Sequence, residues 1–263
     1  MVTGCEGAVT DGSDAEFRHG GSQEFTVEFD DCQEFAGLFP VTLADVAAYV
    51  PSDYTIATFD GATAFVVFRT AECQGLEFED DEDDEDDDDD DDDDDATIVS
   101  QVGINIVPPF GVGDINNYTL HYGTNNERLA RKLKRAGVNA RRVRKLDFDF
   151  DANANGDGTG EYAIENPDKD FYHLISGPVS DPPLDDPGIP FIANWWRYGL
   201  GDNVVMETDI EALFQGDASQ VQVTTKANTE VAELLGGTVT APSVFAIRGI
   251  IPHAVMDVGP TDL

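Results

Sequence analysis

Residues 127–145 read ERLARKLKRAGVNARRVRK, and they do not match the rest of the chain. The protein has 263 residues with 53 acidic and 15 basic side chains, and nine of the fifteen basic residues sit in these nineteen positions. The segment divides at Gly137. Before it, Asn125 or Asn126 can cap a helix, Glu127 suits the first turn, and Leu129, Leu133 and Ala136 recur at helical spacing. Lys134 and Arg135 fall near the negative end of the helix dipole, and Gly137 supplies the stop. After Gly137 the period becomes two. Leu146, Phe148 and Phe150 make one face of a strand, and Asp147, Asp149 and Asp151 the other. Carried backward, that parity turns Val138, Ala140, Arg142 and Arg144 toward the core. A bulge, which Val143 on the opposite parity signals, would reverse it.

Working outward, the charge sets the environment. Glu79 to Asp95 is an unbroken acidic run of 17 residues, yet without it the balance is still 36 acidic to 15 basic. Acidity spread over a whole domain keeps a protein hydrated where salt screens charge within about 3 Å at molar strength. Lysine is scarce, five against ten arginines. The expectation is a halophilic protein, the alternative an ordinary acidic protein with an acidic insert. Nucleic acid is not expected as a partner, because its phosphates would meet a strongly negative field. The run itself is apolar-free and self-repelling, a solvated loop inserted within one domain.

No stretch approaches the roughly 20 apolar residues that cross a bilayer as a helix. The N-terminus carries Val2-Thr3-Gly4-Cys5, which resembles the lipobox of lipoprotein signals, followed by a Gly-rich polar run to Gly21. Two readings stand: Cys5 is lipidated and anchors the protein at a membrane surface, or residues 1–21 are a flexible tail. Cys32 and Cys73 form a disulfide if the domain is exported, and are separately buried thiols otherwise. The expected location is extracellular or at the cell surface. Residues 22–263 are expected to form a single domain.

The remaining pattern is β-rich with short helices. Strands are expected at Glu24 to Phe29, Tyr54 to Thr58, Ala62 to Arg69, Thr97 to Val107, Tyr118 to Tyr122, Val204 to Glu207, Gln220 to Thr225 and Phe245 to Val258. Asp60-Gly61 signals a hairpin turn between the second and third of these. Val41 to Val50 and Thr229 to Leu235 read as helices, stopped by Pro51 and Gly236-Gly237. Ser176 to Pro190 is a Pro-rich loop. Trp195, Trp196, Arg197 and Tyr198 cluster, either rimming a ligand cavity or packing in the core.

The order FPVTLADVAAYVPSDYTI, a strand pair, NNERLARKLKRAGV, and finally ALFQGDASQVQVTTKANTEVAELLGGTVTAPSVFAIRGIIPHAVM resembles the acetoacetate decarboxylase-like family. The resemblance covers most of Phe39 to Val258. It implies a mainly β (α+β) domain built around a cone-shaped barrel with an internal cavity. It also places Ala140 where that family carries its Schiff-base lysine and Arg141 where it carries the neighbouring lysine. An iminium needs an amine, and neither alanine nor a guanidinium that stays protonated supplies one. The family's acidic pocket residue, expected near Gly103-Ile104-Asn105, is missing as well. With the nucleophile gone and the positive charge kept, Arg142 and Arg144 suit a bound carboxylate, or else are salt-bridged to the abundant acids.

Other signals are weaker. Asp151 to Asp157 spaces oxygen ligands like a calcium loop, but the closing acid, Glu161, comes one position early, so a polar hairpin loop is the expectation. His19, His121, His173 and His253 lack metal spacing. No phosphate loop or nucleophile elbow is present, Asn117-Tyr118-Thr119 fits a glycan acceptor, and no cofactor or metal is expected. The functional reading is an exported or surface-anchored protein that binds a small, anionic organic ligand in a β-barrel. The rivals are a lyase of the same fold using a displaced residue such as Lys145, and a structural surface protein.

Overall fold

The computed structural model describes residues 24–79, 96–151, 159–180, 190–199, 201–210, 214–217 and 221–261. Cys5, His19, nearly all of the acidic run and the calcium-like loop after Asp151 lie outside them. The elements in order are β1 (Phe25–Thr42), α1 (Leu43–Val46), β2 (Thr63–Phe78), β3 (Thr97–Asn105), β4 (Ile115–Thr124), α2 (Glu127–Arg135), β5 (Ala140–Arg142), β6 (Asp147–Asp151) and β7 (Thr159–Asn166). They continue with β8 (His173–Ser180), β9 (Phe191–Gly199), β10 (Asp202–Ile210), β11 (Phe214–Asp217), β12 (Gln222–Thr224), α3 (Glu230–Leu234), β13 (Thr240–Pro242) and β14 (Phe245–Thr261).

Seven strands close a barrel in the order β1-β2-β3-β4-β9-β10-β14, with β14 returning to β1. Every pairing is antiparallel except β4 with β9. A second antiparallel sheet, β13-β12-β8-β7-β6, covers part of the outer barrel wall. Phe35, Phe39 and Phe68 point out of the barrel into that layer, and Phe35 meets Tyr162 edge-on with ring centroids 5.3 Å apart. Strands buried on both faces lose the in–out alternation that marks a strand in sequence. β1 and β2 run far beyond their expected lengths, whereas β14 passes its expected end at Val258 by only three residues.

Asp31 shifts the phase of β1. Phe25, Val27 and Phe29 are buried on odd positions, then Cys32 and Glu34 on even ones. Asp31 has φ 49° and drops out of the pairing on both sides, where Gln74 and Pro252 stand opposite. Pro252 has no N–H to donate, so a position that needs none suits it, and β14 continues through it. Cys32 and Cys73 face each other just past this point and form the expected disulfide. Closing a separation of 41 residues constrains the unfolded chain by about 4 kcal/mol in the chain-entropy treatment.

The helix of the opening segment is α2. Asn126 is its cap, accepting from Leu129 N at 2.9 Å, while Asn125 binds Ile98 N and Ala96 O and so ties the helix start to β3. Leu129 and Leu133 close one end of the barrel. Arg128 and Lys132 lie over the Phe78 ring at 4.6 and 5.2 Å. Part of the concentrated positive charge therefore packs on aromatic faces at this closed end.

Several expectations are corrected. Val41 to Val50 is strand, then the single turn of α1, because β1 stays paired with β2 through Thr42. Tyr54 to Thr58 is no hairpin partner: Ile56 makes one bridge, to Ile106, and β2 pairs with β1. The strand after Gly137 is two strands in different sheets, β5 on β4 and β6 on β7, parted by a turn at Arg144-Lys145. Ser176 to Ser180 is strand, the end of β8.

Candidate functional site

A cavity of about 210 Å³ lies in the barrel lumen, at the end opposite α2. At its deep end Arg69 of β2 meets Glu34 of β1: Nε donates to Oε2 at 2.8 Å, and Nη2 lies 2.6 Å from the same oxygen. Arg69 Nη1 donates to Gln101 Oε1 at 2.7 Å. Burial opposes the guanidinium charge, but the charge and hydrogen bond of Glu34 outweigh it, so the Arg69 pKa is raised. Below Arg69 the lumen is packed around Phe29, the disulfide, Val99 and Met256.

Of the five guanidinium N–H bonds, three are directed at Glu34 and Gln101; the other two have no acceptor among the described residues. Glu34 Oε1 likewise has no donor among them. Nearer the mouth, Asn105 donates to Asn117 Oδ1 at 3.2 Å, and the buried Asn117 Nδ2 lacks a partner among the described residues. Buried donors are rarely left unpaired. The β2–β3–β4 wall thus offers spare donors to whatever enters. The facing wall is apolar, from Ala36, Leu38, Ile210 and Ile247.

The chain has no match to a protein-family model, and no curated protein matches it. Solved structures do match. Acetoacetate decarboxylase aligns at TM-score 0.54 and 9% identity, over 92% of this chain and 91% of the other. An acetoacetate decarboxylase-like enzyme from Sphingomonas wittichii RW1 aligns at 0.53 and 9%, over 92% and 93%. The enduracididine biosynthesis enzyme MppR complexed with pyruvate aligns at 0.50 and 10%, over 91% and 90%. The chain has the acetoacetate decarboxylase-like fold. At such identity the likeness speaks for the fold alone.

In this acetoacetate decarboxylase-like barrel the arginines of the opening segment do not line the cavity. Arg142 is paired with Glu127 at the surface, and Arg144 is exposed. The backward parity fails because β5 and β6 belong to different sheets. Arg141 is held by Asp170 at 2.9 Å and Asp168 at 3.4 Å. Ala140 is buried against the closed end, opposite Tyr122 in the register. Lys145 is exposed, and none of the five lysines lines the cavity. Trp195 does line it, its ring lying against Gly103, where an added Cβ would fall 2.7 Å from Trp195 Cζ3. Trp196 points to the other face and donates to Asn116 Oδ1, and Arg197 donates to Thr119 O. Asn117 is no surface glycan acceptor, being 1% exposed in the lumen.

The missed residues are Glu34, Arg69 and Gln101. Only Arg69 carried a signal, a charge inside the apolar run FVVFRTA, which marks it as unusual without telling which face it takes. Outside the lumen, between β3 and β8, lies a second polar group. His173 faces Ser100 Oγ through Nε2 and Phe171 O through Nδ1, and Asn166 donates to Ser100. His121 stacks on Phe171 at 4.5 Å. Burial pulls His121 down to about 3 and His173 to about 4, against the opposing pull of Asp168. Burial under the covering sheet thus favours the neutral imidazole at both positions.

Proposed function

We propose that the barrel lumen binds a small organic carboxylate without Schiff-base chemistry. The observation that carries this reading is Arg69, half-buried at the cavity floor with two N–H bonds unused among the described residues. A guanidinium holds a carboxylate through paired donors, and Asn117 Nδ2 adds a neutral donor higher on the same wall. The pair with Glu34 is already neutral, so a bound carboxylate adds one negative charge, spread over these donors. Glu34 Oε1 can accept a bond from a ligand hydroxyl or enol. The cavity is below the roughly 300–1,000 Å³ of sites for drug-sized ligands, which limits the occupant to a small molecule. The solved structure of MppR with pyruvate supports a small-ligand role by analogy of fold.

The unfilled volume favours binding over a purely structural lumen, and the lack of a lining lysine favours binding over iminium catalysis. The setting belongs to the same proposal: an exported protein in high salt. The Cys32–Cys73 disulfide supports an oxidising compartment, and the net charge of -38 supports a saline one. Anchoring through Cys5 is the remaining element.

Calorimetry in molar KCl tests the central claim. Propionate should bind and propionamide should not, and replacing Glu34 by Gln together with Arg69 by Met should abolish binding. Equal binding of acid and amide would overturn it. Borohydride added with pyruvate should leave the intact mass unchanged; a stoichiometric adduct on any lysine would restore the lyase reading.

A further inference from the structure

The lumen is divided by chemistry around its circumference. Polar groups come from β2, β3 and β4 and, just before β4, from Asp114, whose carboxylate accepts from Ile192 N, while β9, β10, β14 and most of β1 contribute apolar side chains. The apolar side also runs the full depth of the cavity. Along β1 and β14, Glu34 stands opposite Gly249, Ala36 opposite Ile247, and Leu38 opposite Phe245. Four residues of strand from Glu34 to Leu38 span about 13 Å, from the Arg69 floor to the mouth.

The apolar surface does not stop at the mouth. Ile115 and Phe245 both line the cavity, yet they are 38% and 53% exposed. Beside them Val112 and Val244 are also exposed, at 51% and 57%. Val244 N is bonded to Leu38 O, and Val112 O accepts from the Asn116 side chain, so backbone and side-chain bonds hold both next to the rim. Apolar surface continuous from a cavity wall to solvent suits a ligand whose apolar part is longer than the cavity is deep. A small polar acid would leave that surface without a use.

We propose that the lumen takes an amphipathic monocarboxylate, with its carboxylate on Arg69 and its alkyl chain along the Ala36–Ile247–Phe245 wall to the rim. This assignment rests on the carboxylate-binding function proposed above and adds the ligand class. Trp195 and Phe191 flank the chain, and the Arg69–Glu34 pair fixes which end goes in.

The test is calorimetry on the full chain in molar KCl with butyrate, hexanoate and octanoate, below their micelle-forming concentrations. Affinity should rise roughly fourfold per added methylene until the chain passes the rim, then level off. Phe245→Ser, at a half-exposed position where little core packing is lost, should weaken octanoate several-fold and leave butyrate unchanged. Equal affinity across the series, with binding lost in the Glu34→Gln/Arg69→Met protein, would overturn the amphipathic ligand and leave carboxylate binding intact. No binding of any acid would overturn both. A chain-length dependence that survives the double replacement would mean adsorption to the rim, and would overturn the assignment of the carboxylate to Arg69.

Discussion

Arg69 Nη2 lies 2.6 Å from Glu34 Oε2 inside the barrel, and neither partner has another countercharge at this distance among the described residues. Replacing Arg69 alone by Met leaves the Glu34 carboxylate buried and unpaired, which should cost about 3–5 kcal/mol. Adding Glu34→Gln removes the orphaned charge and should recover most of the loss. Urea unfolding of the single and double variants checks this. If the two are equally unstable, the pair is not the cause.

Gly103 is the point where the lumen wall admits Trp195. A Cβ there would meet Trp195 Cζ3 and Tyr118 O, each at 2.7 Å. The backbone oxygen cannot yield easily, so Gly103→Ala should destabilise by about 1–3 kcal/mol through overpacking. It should also displace the indole, read as a change in near-ultraviolet circular dichroism. An unchanged near-ultraviolet spectrum and melting temperature would show that Trp195 does not rest on Gly103.

Acid should weaken the contact between barrel and covering sheet. His121 and His173 are held neutral, with pKa values lowered from 6.5 to about 3 and about 4, by burial first, against Asp168. The charged groups facing His121 are Asp168, Asp170 and Arg141. From about pH 6.5 down to about pH 4 the unfolded chain binds protons that the folded chain refuses. Stability therefore falls as pH drops, by up to roughly 1.4 kcal/mol per pH unit for each histidine. Urea midpoints at pH 7 and 5, in molar KCl to mute surface carboxylate repulsion, measure the slope. His173→Gln should reduce it; an unaltered slope would assign it to other groups.

Salt should stabilise the fold and strengthen anion binding together. With a net charge of -38, self-repulsion destabilises the compact state and the protein's field repels an anionic ligand, and molar salt screens both. The melting temperature and the propionate affinity should each rise from millimolar to molar KCl. A melting temperature independent of salt would sink the halophilic assignment. An affinity that fell with salt would argue that surface cations, not the lumen, hold the anion.

The sequence by itself determined those features that depend on near neighbours. The Asn cap, the apolar stripe and the Gly stop of α2 act within a few residues of one another, and the helix formed where they place it. Chain order carried the barrel, since the succession of strand pair, basic helix and closing strand was enough to suggest it. The Cys32–Cys73 pair was one of two readings the sequence left open, and pairing of β1 with β2 decided for the disulfide.

Which side chains face the lumen was decided only by tertiary structure. Facing depends on long-range pairing: the phase change at Asp31 needs Gln74 and Pro252 on other strands opposite it, and the irregularity between Val102 and Gly103 needs β4. A strand covered on both faces shows no alternation to read, so Arg69 in FVVFRTA gave no sign of pointing inward. The basic segment misled for the same reason, because its parity was continuous in sequence but broken in space by the turn at Arg144-Lys145. Four of the cations drawn together by sequence, Arg128, Lys132, Arg141 and Arg142, are spent on Phe78, Glu127, Asp168 and Asp170 around the barrel. The arginine inside it comes from a strand 58 residues before the segment begins, brought there by closure of the sheet.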